Sequence, residues 1–457
     1  MHVGVIGAGP AGMTAALQLA DAGVDVTLFD EQPSGGGQIY RHAGRMDADA
    51  AAQFGRDYAA GGDLVRQFEE AAGGDGLTYI AGATVWSVTE DGEVAWSIDN
   101  RSYSQHFEAL VLATGALERA MPLPGWTNPG VLTVGAAQIL MKTAGHVPKD
   151  AVLVGSGPLL YLVADQMLAM GSAPRALLET QVMTDYLRAL PRLRPNSVTL
   201  SYLAKGLGML RRLARAKVPR FTGVRDVSIT PAGERHRISF TCGDEQRQID
   251  AGHVLLHAGV HPNIQLSQAL GLTHHWNDVN ECWEPEIDRQ GRTGKAGLYI
   301  AGDGAGILGA DAARLSGELV AMAVLEDHGG HVDAARLAAT CARHKSYRAI
   351  RGFLDTLYAP KPFHALPADD TIICRCEEVA AGRVRSAVQL GCLGPNQLKA
   401  FSRCGMGNCQ GRYCGLTVVN LIADTRGLPH ADIGYYRIRT PIKPVTLEEI
   451  ANHDIIH

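Results

Sequence analysis

The sequence has no strong excess of one charge and few aromatic residues. Its 457 residues include 42 Lys and Arg against 47 Asp and Glu, a formal net charge of −5. Aromatic side chains make up only 6% of the chain. Such a chain lacks both the electrostatic attraction and the stacking surfaces on which nucleic-acid binding depends. The composition therefore predicts no nucleic-acid partner.

Long apolar runs are absent as well. No stretch approaches the roughly 18 consecutive apolar residues of a membrane-spanning helix. A buried-strand pattern begins at residues 3–6, almost at the N-terminal Met, which leaves no space for a cleavable leader. We therefore expect a cytoplasmic protein without a transmembrane segment, in which cysteines stay reduced.

What the chain does have is enough apolar content for several domains. Hydrophobic residues make up 46% of the sequence, and the length predicts two or three domains, each with its own core.

A dinucleotide-binding loop opens the chain, in the segment VGVIGAGPAG at residues 3–12. The candidate phosphate-binding residues are Gly7, Gly9, Pro10, Ala11 and Gly12. Gly7 permits the tight turn, Gly9 lets a pyrophosphate approach the backbone, and Gly12 allows the helix to pack closely on the strand. The following helix would direct its free N–H groups at the phosphates.

An acidic residue follows at the expected distance. A second strand, residues 24–29, ends at Asp30, close to the offset of about 20 residues at which a carboxylate binds the adenosine ribose. Glu31 is the rival for this role. The alternative to a nucleotide site is an ordinary glycine-rich turn between strand and helix.

Three further segments resemble the two-dinucleotide flavoprotein family, which includes enzymes similar to glutathione and thioredoxin reductases. They are LVLATG at residues 110–115, LYIAGD at 298–303 and GGGQ at 35–38. The resemblance implies an α/β fold with two Rossmann-like domains and FAD at the first loop. It also implies contacts of FAD with Gly37, Gln38, Val85, Thr114, Gly115, Gly302 and Asp303. Among these, Asp303 would bind the ribityl chain, Gln38 would lie near the flavin and Val85 near the adenine.

A second strand–loop–helix segment, AVLVGSGPLL at residues 151–160, departs from the pattern. Gly155 and Gly157 are present, but Leu160 stands where a third glycine or an alanine is expected. The close packing of helix on strand is then lost. Glu179 is the candidate ribose acid. We expect either a structural relic or a site for NAD or another adenosine nucleotide, such as ATP, between Gly155 and Gly157.

Cysteines cluster near the C-terminus. Five of the nine cysteines fall in CRCEEV and RCGMGNCQGRYCG, namely Cys374, Cys376, Cys404, Cys409 and Cys414. Cys242, Cys282 and Cys341 are isolated, so no disulfide-reductase chemistry is expected of them. In a reducing compartment, clustered thiols indicate a metal site.

The cluster segment resembles the 2Fe–2S domain of bacterioferritin-associated ferredoxins. The implied ligands are Cys374 and Cys376 from one loop, with Cys409 and Cys414 from a second loop before a helix. A related segment of anaerobic glycerol-3-phosphate dehydrogenases lacks the Cys404 equivalent, and Cys404 is the alternative ligand. Zinc is the competing metal, although zinc ribbons usually use C-x-x-C pairs.

We expect the following organisation. Residues 1–118 and 288–335 form the FAD domain, 119–287 the second dinucleotide-like domain with a helical basic insertion, 336–370 a linker, 371–426 the 2Fe–2S domain and 427–457 an extended tail. The insertion, residues 186–220, is either a solvated basic face or a docking surface for an acidic partner.

The three motifs in this order resemble one group over nearly the whole chain. They look like the FAD- and cluster-containing subunit of bacterial opine oxidases, D-hydroxyproline dehydrogenases and hydrogen cyanide synthase. The resemblance implies a relay role. A partner subunit similar to D-amino-acid oxidases, with its own FAD, would oxidise a C–N bond, and a small subunit would add another 2Fe–2S centre. Electrons would leave for an external acceptor such as a quinone or a dye. The rival hypothesis is a self-contained NAD(P)H-dependent reductase that feeds its own cluster.

Overall fold

The structure, a computed structural model, describes residues 1–456 apart from the side chain of Phe363. The last residue of the predicted tail, His457, lies outside the described residues. The N-terminal part contains β1 (His2–Ile6), α1 (Pro10–Asp21), β2 (Asp25–Asp30), α2 (Ala48–Gln53), α3 (Arg56–Ala71), β3 (Leu77–Ala81), β4 (Thr84–Val88), β5 (Glu93–Ile98), β6 (Arg101–His106), β7 (Ala109–Leu112) and β8 (Ala116–Glu118).

The middle of the chain alternates strands and helices again. It contains β9 (Val131–Thr133), α4 (Val134–Ala144), β10 (Ala151–Gly155), α5 (Pro158–Ala169), β11 (Ala176–Glu179), α6 (Met183–Ala189), α7 (Ser197–Arg215), β12 (Arg220–Thr222), β13 (Val224–Ala232), β14 (Arg235–Cys242), β15 (Glu245–Ala251), β16 (His253–His257), β17 (Val260–Pro262), α8 (Gln265–Ala269), β18 (His274–Asn277) and β19 (Cys282–Pro285).

The C-terminal third is mostly helical. It contains β20 (Leu298–Ile300), α9 (Ala310–Asp327), α10 (Ala334–Leu357), α11 (Pro362–Ala365), β21 (Ile372–Cys374), β22 (Val379–Ala380), α12 (Ala381–Gln389), α13 (Pro395–Ser402), α14 (Gly415–Arg426), α15 (His430–Ile433), α16 (Leu447–Ala451) and β23 (His453–Ile456). Short 3-10 turns lie at Leu190–Arg192 and Gly302–Gly304.

Two parallel five-stranded sheets form the framework. The first has the order β20-β7-β1-β2-β3 and the second the order β12-β11-β10-β16-β9. Their central strands are buried along almost their whole length, as strands covered by helices on both faces require. Strand β20 joins the first sheet, although the strands of the second sheet lie between β7 and β20 in the sequence. The predicted α/β fold with two Rossmann-like domains is confirmed.

The basic insertion is two helices, not one. Helix α6 ends near the Pro191 turn and α7 begins after Asn196, whose side chain caps it by accepting from the N–H of Thr199 at 2.7 Å. Three of its cations pair with carboxylates of this chain. These pairs are Lys205 with Asp57, Arg212 with Asp165, and Arg220 with Glu179. Part of the basic character therefore serves the fold.

The cysteine-rich segment shares its core with the first sheet. Apolar residues around Cys374 and Val419 belong to the same buried cluster as Trp96 and Leu112. The Trp126 indole N–H also donates to the carbonyl of Ile372 at 2.6 Å, which ties the segment to the middle domain. The cysteines are thus held on a packed body.

The tail runs back across the first domain. Strand β23 pairs in parallel with β6, and Arg101 binds Asp454 at 2.6 Å. Among residues 1–456, none of the helices combines the length and apolar character needed to cross a bilayer.

Candidate cofactor sites

Strand register gathers the first-site residues at one edge. Ile6 is opposite both Phe29 and Leu112, and Leu112 is opposite Ile300. The residues that follow these parallel strands therefore lie side by side. They are Gly7, Asp30, Thr114 and Gly302. This edge of a doubly wound sheet is where such folds bind ligands.

The three loop glycines meet different demands. Gly7 has a φ of +109°, and a Cβ there would lie 2.4 Å from the carbonyl oxygen of Ala113. A Cβ on Gly12 would lie 1.9 Å from the carbonyl oxygen of Gly7, so helix and strand touch at this point. A Cβ on Gly9 would meet nothing within 4 Å. The open side of the loop is thus at Gly9, where the sequence predicts the pyrophosphate, and Pro10 and Ala11 begin α1 directly behind it.

Asp30 and Glu31 differ in their partners. The Asp30 carboxylate accepts from the N–H groups of Ala8 and Gln32 at 2.6 and 2.8 Å. Burial raises its pKa, and these hydrogen bonds oppose the rise. Glu31 points to the tail instead, where its carboxylate lies 2.5 Å from the Lys443 ammonium. Of the two acids, Asp30 is the one built into the phosphate loop.

The Asp303 carboxylate, like that of Asp30, is held by backbone N–H groups. One of its oxygens accepts from the N–H groups of Leu308 and Gly309 at 2.9 and 3.1 Å, which leaves the second oxygen for a hydroxyl group. Burial raises the pKa of Asp303. The preceding Gly302 has a φ of +71°, and a Cβ there would lie 2.8 Å from the Cβ of Ala11. The backbone of Gly302 therefore passes close to α1.

The other predicted contacts surround the same edge. The Thr114 hydroxyl donates to the carbonyl of Asn263 at 3.0 Å, and Gly115 accepts from the N–H of Asn263 at 2.9 Å. A Cβ on Gly37 would lie 2.8 Å from the Cα of Gly9, next to the phosphate loop. Val85 is buried on β4. Gln38 is exposed, and its backbone carbonyl faces a lysine.

These residues fit FAD. The loop is open at Gly9, and a half-satisfied carboxylate lies at Asp303. The buried Thr14 hydroxyl of α1 and the side-chain oxygen of Asn263 find no hydrogen-bond partner among the described residues. Buried polar groups normally have partners, which a polar ligand bound at this edge would supply.

Sequence reasoning missed Lys142, a buried lysine next to this site. Its ammonium donates to the carbonyl oxygens of Gln38 and Ile39 at 3.1 and 2.9 Å, and to the side chain of Gln138 at 3.0 Å. Burial, with a further contribution from the positive charge of Arg41, lowers the pKa of Lys142 to about 7. Lys142 belongs to α4 of the middle domain, so only the three-dimensional packing reveals it.

The second glycine loop is shaped differently from the first. A Cβ on Gly157 would lie 3.0 Å from Nε2 of His257, whose ring therefore rests beside the loop. That ring is fixed by Glu118, 2.6 Å from its Nδ1. Leu160 is fully buried. The space that stays open beside Gly9 is thus occupied by an imidazole beside Gly157.

Glu179 already has a partner within the protein. It is fully buried, and the Arg220 guanidinium donates to both of its oxygens at 2.6 and 3.0 Å. The Arg220 guanidinium also lies over the Tyr161 ring, 5.8 Å from its centre. In this arrangement the carboxylate of the predicted ribose acid is already bound by Arg220.

The five clustered cysteines form a triad and a pair. The sulfurs of Cys374, Cys404 and Cys414 lie within 4.8 Å of one another, and the sulfurs of Cys376 and Cys409 are 3.8 Å apart. Two thiolates bound at about 2.3 Å to one tetrahedral metal ion are about 3.8 Å apart. The Cys376–Cys409 distance therefore suits a shared metal ion. The four predicted ligands are thus divided between the two groups, and Cys404, the alternative ligand, belongs to the triad with Cys374 and Cys414.

Local chain geometry produces this arrangement. A Cβ on Gly407 would lie 2.2 Å from the Cβ of Cys376, so the glycine lets the second loop approach the first. The N–H groups of Gly405 and Glu377 point to the sulfur of Cys374. The thiols of Cys404 and Cys414 donate to the same sulfur, and these thiols foremost, with the two N–H groups, hold the pKa of the Cys374 thiol far below its usual range. The two N–H groups remain available as donors when Cys374 is a thiolate ligand.

Cys392 lies apart from the five clustered cysteines, and Cys414 lies at the start of a helix. Cys392 lies between the two loops in sequence but donates to the carbonyl of Gly394 at 3.4 Å, away from the five. Cys414 is the N-terminal cap residue of α14, where the helix dipole favours negative charge. The triad and the pair together fit a 2Fe–2S group by donor type and number, with one thiol more than four ligand positions require.

Comparison with known proteins extends the argument to the whole chain. Residues 1–326 match the family described as pyridine nucleotide-disulphide oxidoreductase, and residues 369–453 match the sarcosine oxidase A3 domain. The A-type opine oxidase subunit of Agrobacterium tumefaciens is 43% identical over 98% of this chain and 91% of its own length. Hydrogen cyanide synthase subunit HcnB of Pseudomonas aeruginosa is 32% identical, with 98% of each chain covered.

Among solved structures, L-proline dehydrogenase of P. horikoshii matches 98% of this chain and 78% of its own, with a TM-score of 0.70 and 20% identity. That match shows a common fold for the three parts together. With the sequence identities above, it follows that the chain is a flavoprotein oxidoreductase that belongs to the family of A-type opine oxidase subunits.

Proposed function

We propose that this chain is the electron-carrying subunit of a heteromeric dehydrogenase that oxidises a C–N bond of an opine, of proline or D-hydroxyproline, or of another amino acid, in the cytoplasm. One observation carries the proposal, namely that an FAD cradle, a triad of thiols and a pair of thiols belong to one packed chain. The relatives support it, because they are named as subunits of opine oxidase and hydrogen cyanide synthase.

The chain's own residues would hold FAD as follows. The backbone around Gly9 and the start of α1 would receive the pyrophosphate, since that side of the loop is open. Asp30 would accept from the ribose hydroxyls, and the free oxygen of Asp303 would accept from the ribityl chain. These contacts orient the cofactor.

The cysteines would hold a 2Fe–2S cluster. We assign Cys376 and Cys409 to one iron on the basis of their 3.8 Å separation, and Cys374 with Cys414 to the other. When both groups are bound, FAD exchanges electrons in pairs and the cluster exchanges them singly. The burial of Cys374 and Cys414 would keep water from this side of the cluster.

Partners complete the enzyme in this proposal. The substrate pocket would lie on a partner similar to D-amino-acid oxidases, and a small 2Fe–2S subunit would assist the relay to a quinone or another external acceptor. The exposed part of the basic insertion is one candidate docking surface, because Leu187, Leu190 and Leu200 are 60% or more exposed there.

The test is an anaerobic spectrum of the purified chain, recorded alone, after NADH and then after dithionite. We expect flavin and cluster absorption that dithionite bleaches and NADH does not. The reason is that Arg220 already binds the Glu179 carboxylate and that the His257 ring lies beside Gly157, so NADH would not bind at the second loop. Rapid bleaching by NADH would instead support the self-contained reductase. A chain without iron would refute the relay.

A further inference from the structure

Residues 435–443, here called the strap, contact both candidate cofactor sites. The strap leaves the cysteine-rich domain after α15 and reaches the first domain before α16. Its start packs on the cysteine loop and its end lies at the adenosine end of the FAD cradle. The sequence predicts an extended segment here that lies across another domain or subunit, without a role at either cofactor site.

At its start the strap fills the space above the cysteine loop. Tyr436 is 1% exposed, and its hydroxyl donates to the carbonyl of Cys404 at 3.2 Å. A Cβ on Gly405 or on Gly411 would lie 2.5 or 2.6 Å from the Tyr436 ring, which is closer than non-bonded carbon atoms can approach. Both glycines are therefore needed for this ring to pack where it does.

In its second half the strap accepts from two side chains of the same loop. The Gln410 amide donates to the carbonyl of Pro441 at 2.8 Å, and Arg412 donates to that of Ile442 at 3.0 Å. Both residues lie between Cys409 and Cys414, two of the proposed ligands. The position of these carbonyls thus depends on how the two cysteines shape the loop.

The same strap residues hold the FAD cradle. The N–H of Ile442 donates to the carbonyl of Trp86 at 2.8 Å, next to Val85, where the adenine is expected. The Lys443 ammonium lies 2.5 Å from the carboxylate of Glu31, next to Asp30, where the ribose is expected. Ile442 therefore connects the loop between two cysteines with the strand beside the adenine.

We infer that the strap is a shared wall of the two sites, with Lys443 as a positioning residue of the FAD cradle, so that the cysteine loop and FAD stabilise each other. The inference rests on the proposed function for the identity of the two cofactors. Since coupling between two binding sites is reciprocal, a loop ordered by its metal should tighten FAD, and FAD should help to retain the metal.

The experiment measures the dissociation constant of FAD by flavin fluorescence on the full chain, with iron present and after its removal by a chelator. In the wild-type chain we expect removal of iron to weaken FAD binding about tenfold, the size of one charge-assisted contact. In Lys443→Met, FAD should bind about tenfold more weakly, and removal of iron should no longer matter. Arg412→Gln cuts the other end of the strap and should have the same effect.

The matched control is Arg403→Gln, which removes an ion pair of the same domain, with Glu377 at 3.0 Å, but no hydrogen bond or ion pair with a strap residue. It should bind FAD as the wild type does, both with and without iron. Equal FAD binding in the wild type and both strap variants would overturn the inference. If the wild-type chain holds no iron, the relay fails, yet the comparison of Lys443→Met and Arg412→Gln with Arg403→Gln still decides the role of the strap.

Discussion

Arg220 donates to both carboxylate oxygens of Glu179, at 2.6 and 3.0 Å, across neighbouring parallel strands. Glu179 is fully buried, whereas the side chain of Arg220 is 30% exposed. The pair contains the acid for which the sequence predicts a role in ribose binding. The Glu179–Arg220 ion pair thus contributes to the stability of the middle domain.

Removing Arg220 should therefore leave a buried charge without a partner. We expect Arg220→Met to lower the free energy of unfolding by about 3 kcal/mol, which is the scale for breaking a buried ion pair. Arg212→Met is the control, because Arg212 is 55% exposed and its pair with Asp165 should contribute less than about 1 kcal/mol. Denaturant unfolding of both variants checks this, and the double variant with Glu179→Leu should recover most of the loss. Equal losses in the two single variants would contradict the burial argument.

Gly9 provides a test of the FAD cradle that leaves the fold intact. A Cβ there meets no protein atom within 4 Å, so Gly9→Val should fold normally but block the pyrophosphate and release FAD. Gly206→Val, at another glycine with open surroundings, should keep its flavin. Flavin content after gel filtration gives the result. A Gly9→Val protein with a full complement of flavin would remove the first site from consideration.

The cysteine assignment predicts an unequal response to serine. Cys409→Ser and Cys414→Ser should each abolish the visible absorption of the cluster, because each would leave an iron with one thiolate too few. Cys404→Ser should keep most of it. Absorption spectra and iron content are the measurements. The opposite pattern, with Cys404→Ser destructive and Cys414→Ser silent, would place Cys404 in the ligand set.

A feature of the fold can be predicted from sequence when its cause lies in neighbouring residues of the chain. Gly7, Asp30 and Asp303 could be placed together because parallel strands end at one edge, and each residue follows its own strand. The Glu179–Arg220 pair could not, since it requires β12 to lie next to β11 after an excursion through two helices.

The same reasoning explains why the sequence left the ligand set open among the thiols. The spacing of Cys374, Cys376, Cys409 and Cys414 predicted a metal site, but the structure divides these residues between a triad, which also contains Cys404, and a pair. The turn that places Cys404 in the triad contains Gly405 and contacts the ring of Tyr436, which comes from a tail 32 residues further on. Contacts of that kind have no signature in the sequence.

Because of Lys142, we expect the free energy of unfolding to depend on pH between about 7 and about 10.5. Its pKa falls from the ordinary 10.5 to about 7 because of burial and, to a smaller degree, the charge of Arg41. Between these values the unfolded chain binds a proton that the folded chain does not, so the free energy of unfolding rises with pH across this window. The slope for one proton is about 1.4 kcal/mol per pH unit. Below about pH 7 both states are protonated and the dependence ends.

Lys142→Met should remove this slope. We expect the variant to lose stability relative to the wild type as the pH rises from about 7.5 to about 9.5, since only the wild type gains from deprotonation of the folded chain's lysine. Lys345→Met, at an exposed lysine of α10, is the matched control and should follow the wild type. Denaturant unfolding at the two pH values measures the difference. If the difference between Lys142→Met and wild type is the same at both, then the ammonium stays charged in the folded chain, and its three oxygen acceptors outweigh the cost of burying it.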